Sequence, residues 1–394
     1  MRVIVFTLLL VFCSFQLRAQ ENTILYIDSI NNSIPSIQND TIKARMYKAI
    51  AEKCLISFPQ QTLLYANKGL QLATKMGWAK GLAVFNDIIG QHYSNKGNLD
   101  SAIYFYEKAY QIDIKNDFKL NAASTLNNIG VVYQNQADYE KAITKFTEAL
   151  KIAEAEKNNS LTAICNQNIG QIYLEQGNYK KCIEIYNDVI KLHALDENID
   201  GVASAYSSIA GTYAQMKDTA KAYYYFDKAI KVFKKTENFL ELATAYTDAS
   251  SLEKDISKRI EIKLKAQKIW DEYSPSHLAS STNLSNLGLE YFNIVKHNLY
   301  DNIKNTPTIP QTKEQLLQKS KSYYTLALKY SKEQNFTSNY AAQNGLLAEL
   351  EAYMGDYKNA FEHYEIYTSL KDSIHSQDNK NKIATIIGKR EVLL

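Results

Sequence analysis

Apolar and polar positions along this chain recur with a helical period inside segments and with a forty-residue period between them. From Gly90 to Val232 five columns stay in register. A Gly/Ala position reads Gly90, Gly130, Gly170 and Ala210, and three residues on stand Tyr93, Tyr133, Tyr173 and Tyr213. Twelve residues after the Gly/Ala come Ala102, Ala142, Cys182 and Ala222. Four further on are the aromatics Tyr106, Phe146, Tyr186 and Phe226, followed by Ala109, Ala149, Val189 and Ala229. Steps of three and four place each set on one helix face. Polar tetrapeptides such as Asn95-Lys96-Gly97-Asn98 and Glu175-Gln176-Gly177-Asn178 separate the two sets. Each unit is therefore predicted to be a helix–turn–helix hairpin. A fixed period in this range predicts an array in which every hairpin buries its apolar face on a neighbour. Small residues let paired helices approach closely, and the aromatics fill the space between one pair and the next.

The runs from Ile129 to Ile152 and from Ile169 to Leu192 resemble tetratricopeptide repeats, with that family's Gly/Ala, Tyr, Ala, aromatic and Ala positions in order. The resemblance implies an all-α fold, a right-handed α-solenoid of stacked hairpins with about seven to eight repeats. Two departures matter. The period of forty exceeds the roughly 34 residues common in the family, and the proline that usually closes each unit is missing. Both predict longer helices or longer connectors.

The organisation expected from the columns is as follows. Residues 1–19 form a leader, and 20–80 an N-terminal cap with a degenerate first repeat, in which Thr62, Ala66 and Gly69 continue the period backwards. Residues 81–235 hold four regular repeats. Residues 236–375 hold three degenerate repeats, with an insertion near 294–314 between the helices marked by Tyr291 and Ala327; Pro307 and Pro310 argue against a continuous helix there. A functional loop and a tolerated surface excursion are both open for the insertion. Residues 376–394 are expected to form a C-terminal helix.

The leader has the layout of a secretory signal: Arg2 as a short positive region, an apolar run from Val3 to Phe15, and Leu17-Arg18-Ala19 as the processing site. The run is too short to span a bilayer comfortably. Cys13 lies inside it behind Val11-Phe12, where a lipoprotein anchor would need a small residue. The mature chain is expected to be exported to the periplasm after cleavage near Ala19, with no membrane span of its own. Its cysteines Cys54, Cys165 and Cys182 are odd in number; Cys182 takes the small-residue column and reads as a buried Ala substitute, and strict geometry argues against pairing with Cys165.

Charge changes little. With 45 Lys and Arg against 42 Asp and Glu, the formal net charge is +3, which gives no footprint for nucleic acid or an anionic membrane. The 29 tyrosines fall mostly on repeat columns and read as packing. The six histidines, His92, His193, His277, His297, His363 and His375, are scattered, with no metal-ligand pair on a helix face. There is no phosphate loop, nucleophile elbow or Cys-His pairing. No catalytic residue, cofactor or metal is expected.

What the resemblance offers is a groove lined by the first helix of each hairpin, with a stripe three residues before, one after and five after the Gly/Ala column. The stripe reads Asp87, Asn127, Gln167, Ser207; then Gln91, Val131, Gln171, Gly211; then Asn95, Asn135, Glu175, Gln215. Amides dominate it. They both donate and accept hydrogen bonds, so a ladder of them can pair with the backbone of an extended peptide. None of these positions is basic, which argues against the family's clamp for C-terminal carboxylates. The expectation is a non-catalytic exported protein that binds a protein or peptide partner in this groove; the bland alternative is a merely hydrated polar face. The leader, the repeats and the ending Tyr367 to Ile374 with Lys382-Ile383-Ala384 also resemble the exported sensor region of bacterial tetratricopeptide-containing histidine kinases and helix-turn-helix regulators. That resemblance implies the second reading, a sensory input region whose membrane and output domains are absent from this chain. Oligomeric state is not legible in the columns.

Overall fold

The computed structural model describes residues 27–55, 58–303, 308–334 and 336–371. The leader and the helix expected over 376–394 lie outside the described residues. Every regular element among the described residues is helical. A first helical stretch, α1 (27–33), leads through a 3-10 turn (Ile34–Ser36) into a series of antiparallel hairpins. These are α2 (Asp40–Cys54) with α3 (Pro59–Lys75), α4 (Ala79–Asn95) with α5 (Leu99–Lys115), and α6 (Lys119–Asn135) with α7 (Tyr139–Ala155), after which come α8 (Asn159–Glu175) and α9 (Tyr179–Leu195). Then follow α10 (Ile199–Gln215) with α11 (Thr219–Lys235), α12 (Phe239–Ser250) with α13 (Ile256–Tyr273), α14 (Leu278–Lys296) with α15 (Lys313–Glu333), and α16 (Thr337–Tyr353) with α17 (357–371). The architecture is an α-solenoid of stacked hairpins.

The forty-residue period is two halves of twenty. From α4 to α11 each helix is 17 residues long and is joined to the next by three residues. The long period therefore comes from long helices and not from long connectors. Connector chemistry fixes this pitch. The middle residue is always left-handed: Gly97 at φ 73, Asp117 at 55, Ala137 at 58, Lys157 at 52, Gly177 at 73 and Glu197 at 53. The third residue then acts twice. Its N–H donates back to the helix just ended, as Asn98 to the Tyr93 carbonyl at 2.9 Å and Asp138 to Tyr133 at 2.9 Å, which is a Schellman closure. Its side chain accepts from the helix about to start, as Asn98 from the Ser101 N–H at 3.3 Å and Asn158 from Leu161 at 2.9 Å. Only Trp78 and Phe118 in this series lack a capping side chain.

The chain divides into two compact units, Met1–Ile172 and Tyr173–Leu394, with the boundary inside α8. In the first unit the columns explain the close approach within hairpins. A Cβ on Gly90 would sit 2.7 Å from the Tyr106 ring, and one on Gly130 would sit 2.6 Å from the Phe146 ring. The far side of Tyr106 packs with Ala102 against Ile129 and Val132 of α6. The aromatic column thus closes its own hairpin as well as the gap to the next. The first hairpin has Ala66 where the others have an aromatic, and Phe85 of α4 reaches back over Gly69 instead.

In the second unit Gly288 and Tyr324 repeat the glycine–aromatic contact at 2.6 Å. Helix α14 runs through Lys296 and α15 begins at Lys313, so the extra residues lie between them. Their described part is anchored. Ile309 is buried with Leu287, Tyr291 and Leu316, and the Tyr291 hydroxyl donates to the Thr308 carbonyl at 3.1 Å.

Cys54, Cys165 and Cys182 are free and buried. Burial pushes the Cys54 and Cys165 thiols up to about 11. Cys182 fills its small-residue column with Sγ 3.3 Å from the Thr212 hydroxyl. Among the described residues no helix is long and apolar enough to cross a membrane.

Candidate functional site

In the first unit the stripe read from the sequence occupies α4, α6 and α8 and divides into two kinds of position. The residue three before the Gly/Ala column is engaged in packing. Asp87 Oδ2 accepts from Gln91 Nε2 at 2.6 Å, and its Oδ1 accepts from Asn128 Nδ2 of the next hairpin at 3.0 Å. One repeat on, Asn127 Oδ1 accepts from Asn168 Nδ2 at 2.8 Å. The same step, from one first helix to the next, is made twice. Desolvation raises the Asp87 carboxyl above its usual range, and the hydrogen bonds from Asn128 and Gln91 partly offset it. Asn127 is buried, and Gln167 and Gln171 are half-buried.

The residue five after the column behaves differently. Asn95 and Asn135 stand exposed on the last turns of α4 and α6. In the second unit Glu175 and Gln215 hold the same place at the ends of α8 and α10, also exposed. Ser207 is half-buried, with an Oγ that has no partner among the described residues. The structure thus brings Asp87 and Gln91 together in one cluster with Asn128 and places Asn95, Asn135, Glu175 and Gln215 exposed at the ends of their helices.

The polar groups of the degenerate repeats escaped the sequence reading. Glu290, two residues after Gly288, accepts from Arg259 Nε at 2.6 Å, Arg259 Nη2 at 2.8 Å and Lys263 Nζ at 2.5 Å. Burial raises the Glu290 carboxyl, but these charge-assisted bonds outweigh it and hold the group below its usual range. Lys263 is itself buried. Nearby, Asn283 Nδ2 donates to the Lys263 carbonyl and to Gln267 Oε1, both at 3.0 Å, and Gln267 Nε2 donates to Asp271 at 2.8 Å. Arg259 and Lys263 are four residues apart, on one helix face, which is the signal the sequence offered. The partner carboxylate lies in the next helix, at a column that carries His92, Val132, Ile172 or Thr212 elsewhere.

Chemically these groups cross-brace helices. No cluster of His, Cys, Asp and Glu among the described residues could hold a metal ion.

A family model described as tetratricopeptide repeat matches residues 82–155 and, overlapping, 121–194. Among solved structures the chain is similar to the apo form of the quorum sensor NprR from B. thuringiensis, at 12% identity over 90% of this chain and 99% of that one, TM-score 0.55. It is similar to a Rap protein complexed with Competence and Sporulation Factor, at 13% identity over 91% and 99%, TM-score 0.52. It is also similar to Aspartyl phosphate phosphatase F from Bacillus subtilis, at 15% identity over 89% and 92%, TM-score 0.51. At such identities the likeness is one of fold. No curated protein matches the sequence.

Proposed function

We propose, from the tetratricopeptide repeats this chain carries, that it is a non-catalytic exported protein which binds a peptide or protein segment along the face of its first helices. The observation that carries this reading is the repeated exposed polar position, Asn95 and Asn135, on the successive first helices α4 and α6 of the first unit. Amides there can donate to and accept from the backbone of an extended chain without dictating its sequence. Solenoids bind along extended surfaces of this kind. Two of the similar structures are a quorum sensor and a protein in complex with a named factor, which supports the same reading. Export rests on the leader sequence from Met1 to Ala19.

The test uses residues 20–394 as immobilised bait against a periplasmic extract, in parallel with an Asn95→Ala/Asn135→Ala variant. These two side chains are exposed, so their loss leaves the packing ladder intact; Asn127→Ala would also remove the Asn168 contact and confuse binding with stability. The expected result is a partner held by the wild type and weakened at least about tenfold in the variant, the loss of more than 1.4 kcal/mol expected from several hydrogen bonds, at unchanged helicity. A partner retained equally by both overturns the groove reading. A sensory input role is the second reading, favoured by the likeness to a quorum sensor. It predicts that the bound partner is a short secreted peptide and not a folded protein.

A further inference from the structure

The polar ladder between first helices is broken in the second unit. In the first unit the residue three before the Gly/Ala column accepts from a residue forty-one places on, Asp87 from Asn128 at 3.0 Å and Asn127 from Asn168 at 2.8 Å. On α10 and α12 the same two columns hold Ser207 and Asp248. The amide donor has become a carboxylate, which can only accept when ionised. Ser207 Oγ is shut off from solvent and has no partner among the described residues. The Asp248 side chain is open to solvent, and its carboxylate takes no hydrogen bond or ion pair from the described residues.

Four residues after Ser207, on the same helix face, stands Gly211, where other repeats have Gln91, Val131 and Gln171. A Cβ on Gly211 would meet open space, so the missing side chain leaves room beside Ser207. The charge next to this room is uncompensated. Open as it is, Asp248 is crowded enough by the protein that desolvation pushes its carboxyl up to about 6, and the Glu241 charge two turns earlier adds to the rise. Glu241 in turn feels Asp200 of α10. No cation offsets the shift at Asp248.

We propose that Asp248, with Ser207 and the space over Gly211, forms a subsite for a basic side chain of a bound peptide, the ammonium of a lysine or the guanidinium of an arginine. The inference rests on the reading that a peptide lies along the first helices, and it names one residue class in that peptide. Such a group supplies what the broken ladder lacks. Its N–H groups donate to the carboxylate in charge-assisted bonds and to the Ser207 hydroxyl. The methylene stem lies in the room that Gly211 leaves. The carboxylates of Asp200 and Glu241 favour a cation over a neutral donor and repel an acidic residue.

The test is selection of a displayed random heptapeptide library on immobilised residues 20–394, on Asp248→Asn, and on Asp188→Asn. The last is a control for net charge, since Asp188 is an exposed residue of α9 paired with Lys191. Asp248 has no side-chain partner to lose, and circular dichroism checks that its variant keeps the wild-type helicity. The expected result is that Lys and Arg are enriched over the input in peptides held by wild type and Asp188→Asn, and return to input frequency on Asp248→Asn. A synthetic retained peptide then binds wild type at least about tenfold tighter than its counterpart with norleucine at the basic position, and Asp248→Asn removes that difference. Peptides held without basic enrichment, or with enrichment that survives Asp248→Asn, overturn the subsite and leave peptide binding along the first helices standing. A wild type that holds no peptide overturns both.

Discussion

The ring of Phe85 fills the space into which a Cβ on Gly69 would project, with Cζ 2.0 Å from that point. In later hairpins the same pair of columns reads Ala109 with Thr125 and Ala149 with Cys165. A large side chain facing no side chain has replaced two of intermediate size. The exchange also supplies, from α4, the aromatic that Ala66 withholds from α3.

This relationship predicts strong coupling. Gly69→Ala forces a methyl into the ring and is expected to destabilise by about 1–3 kcal/mol. Phe85→Thr empties the space and is expected to cost about 3 kcal/mol. The double variant recreates the pair found at Ala109 and Thr125 and is expected to cost less than the sum of the two by at least about 1 kcal/mol. Urea unfolding of the four proteins measures the coupling; simple additivity would show that the two residues pack independently.

The connectors predict a gain. Ala137 sits at φ 58, where an L side chain is strained by about 1–2 kcal/mol, and Gly97 and Gly177 hold the same place in neighbouring hairpins. Ala137→Gly is expected to stabilise by about 0.5–1 kcal/mol, the relief of strain less the greater freedom of glycine in the unfolded chain. Asp138→Ala, one residue on, loses the cap accepted from the Lys141 N–H at 3.3 Å and is expected to destabilise by about 1 kcal/mol. Melting temperatures of opposite sign for these adjacent changes are the check.

The fold was legible because the Gly90-to-Tyr106 relationship is written four times, and steric fit at one hairpin is the same fit at the next. The half-period of twenty was harder to see. Connectors such as Asn116-Asp117-Phe118 and Glu156-Lys157-Asn158 contain no glycine, yet they adopt the same left-handed turn as Lys96-Gly97-Asn98. The binding face was legible only as a face. Spacing places Asp87 and Asn127 on it, but whether they meet solvent depends on Asn128 and Asn168, which belong to neighbouring hairpins forty-one residues on. The Glu290 cluster was illegible for a related reason: α12 is only 12 residues long, which shifts the register just where Arg259 and Lys263 acquire their partner.

Glu290 faces two cations, so its removal strands both. Glu290→Ala is expected to destabilise by about 3–5 kcal/mol, as when one partner of a buried ion pair is lost. Glu290→Gln keeps the shape and is expected to cost less. The carboxyl is held below its ordinary value of 4.5 in the folded chain, so its contribution is present above that value and is lost as pH falls through the lower folded value. The stability gap between wild type and Glu290→Gln should therefore be full at pH 7 and shrink below about pH 4. A gap independent of pH would mean that the charge contributes nothing.

Asp113 gives the opposite slope. It is 1% exposed on α5, accepts from Asn121 and Thr125, and leaves Oδ1 without a partner among the described residues. Burial pushes its carboxyl up to about 6 from 3.8, the neighbouring Asp87 charge adds to the rise, and the bonds from Asn121 and Thr125 and the charge of Lys80 only partly offset it. A raised folded value means that the folded chain binds the proton more tightly than the unfolded one. The stability contributed by the protonated group is full below about pH 4 and is lost as pH rises through about 6. Asp113→Asn keeps an acceptor for Asn121 and Thr125 and removes the buried charge. It is expected to be more stable than wild type by about 2 kcal/mol at pH 7.5, with the advantage vanishing near pH 4. Urea midpoints of both proteins across pH 4 to 8 measure this. A wild type that matches or exceeds the variant at pH 7.5 would show that the Asp113 carboxylate is stabilised by its neighbours and not tolerated in spite of them.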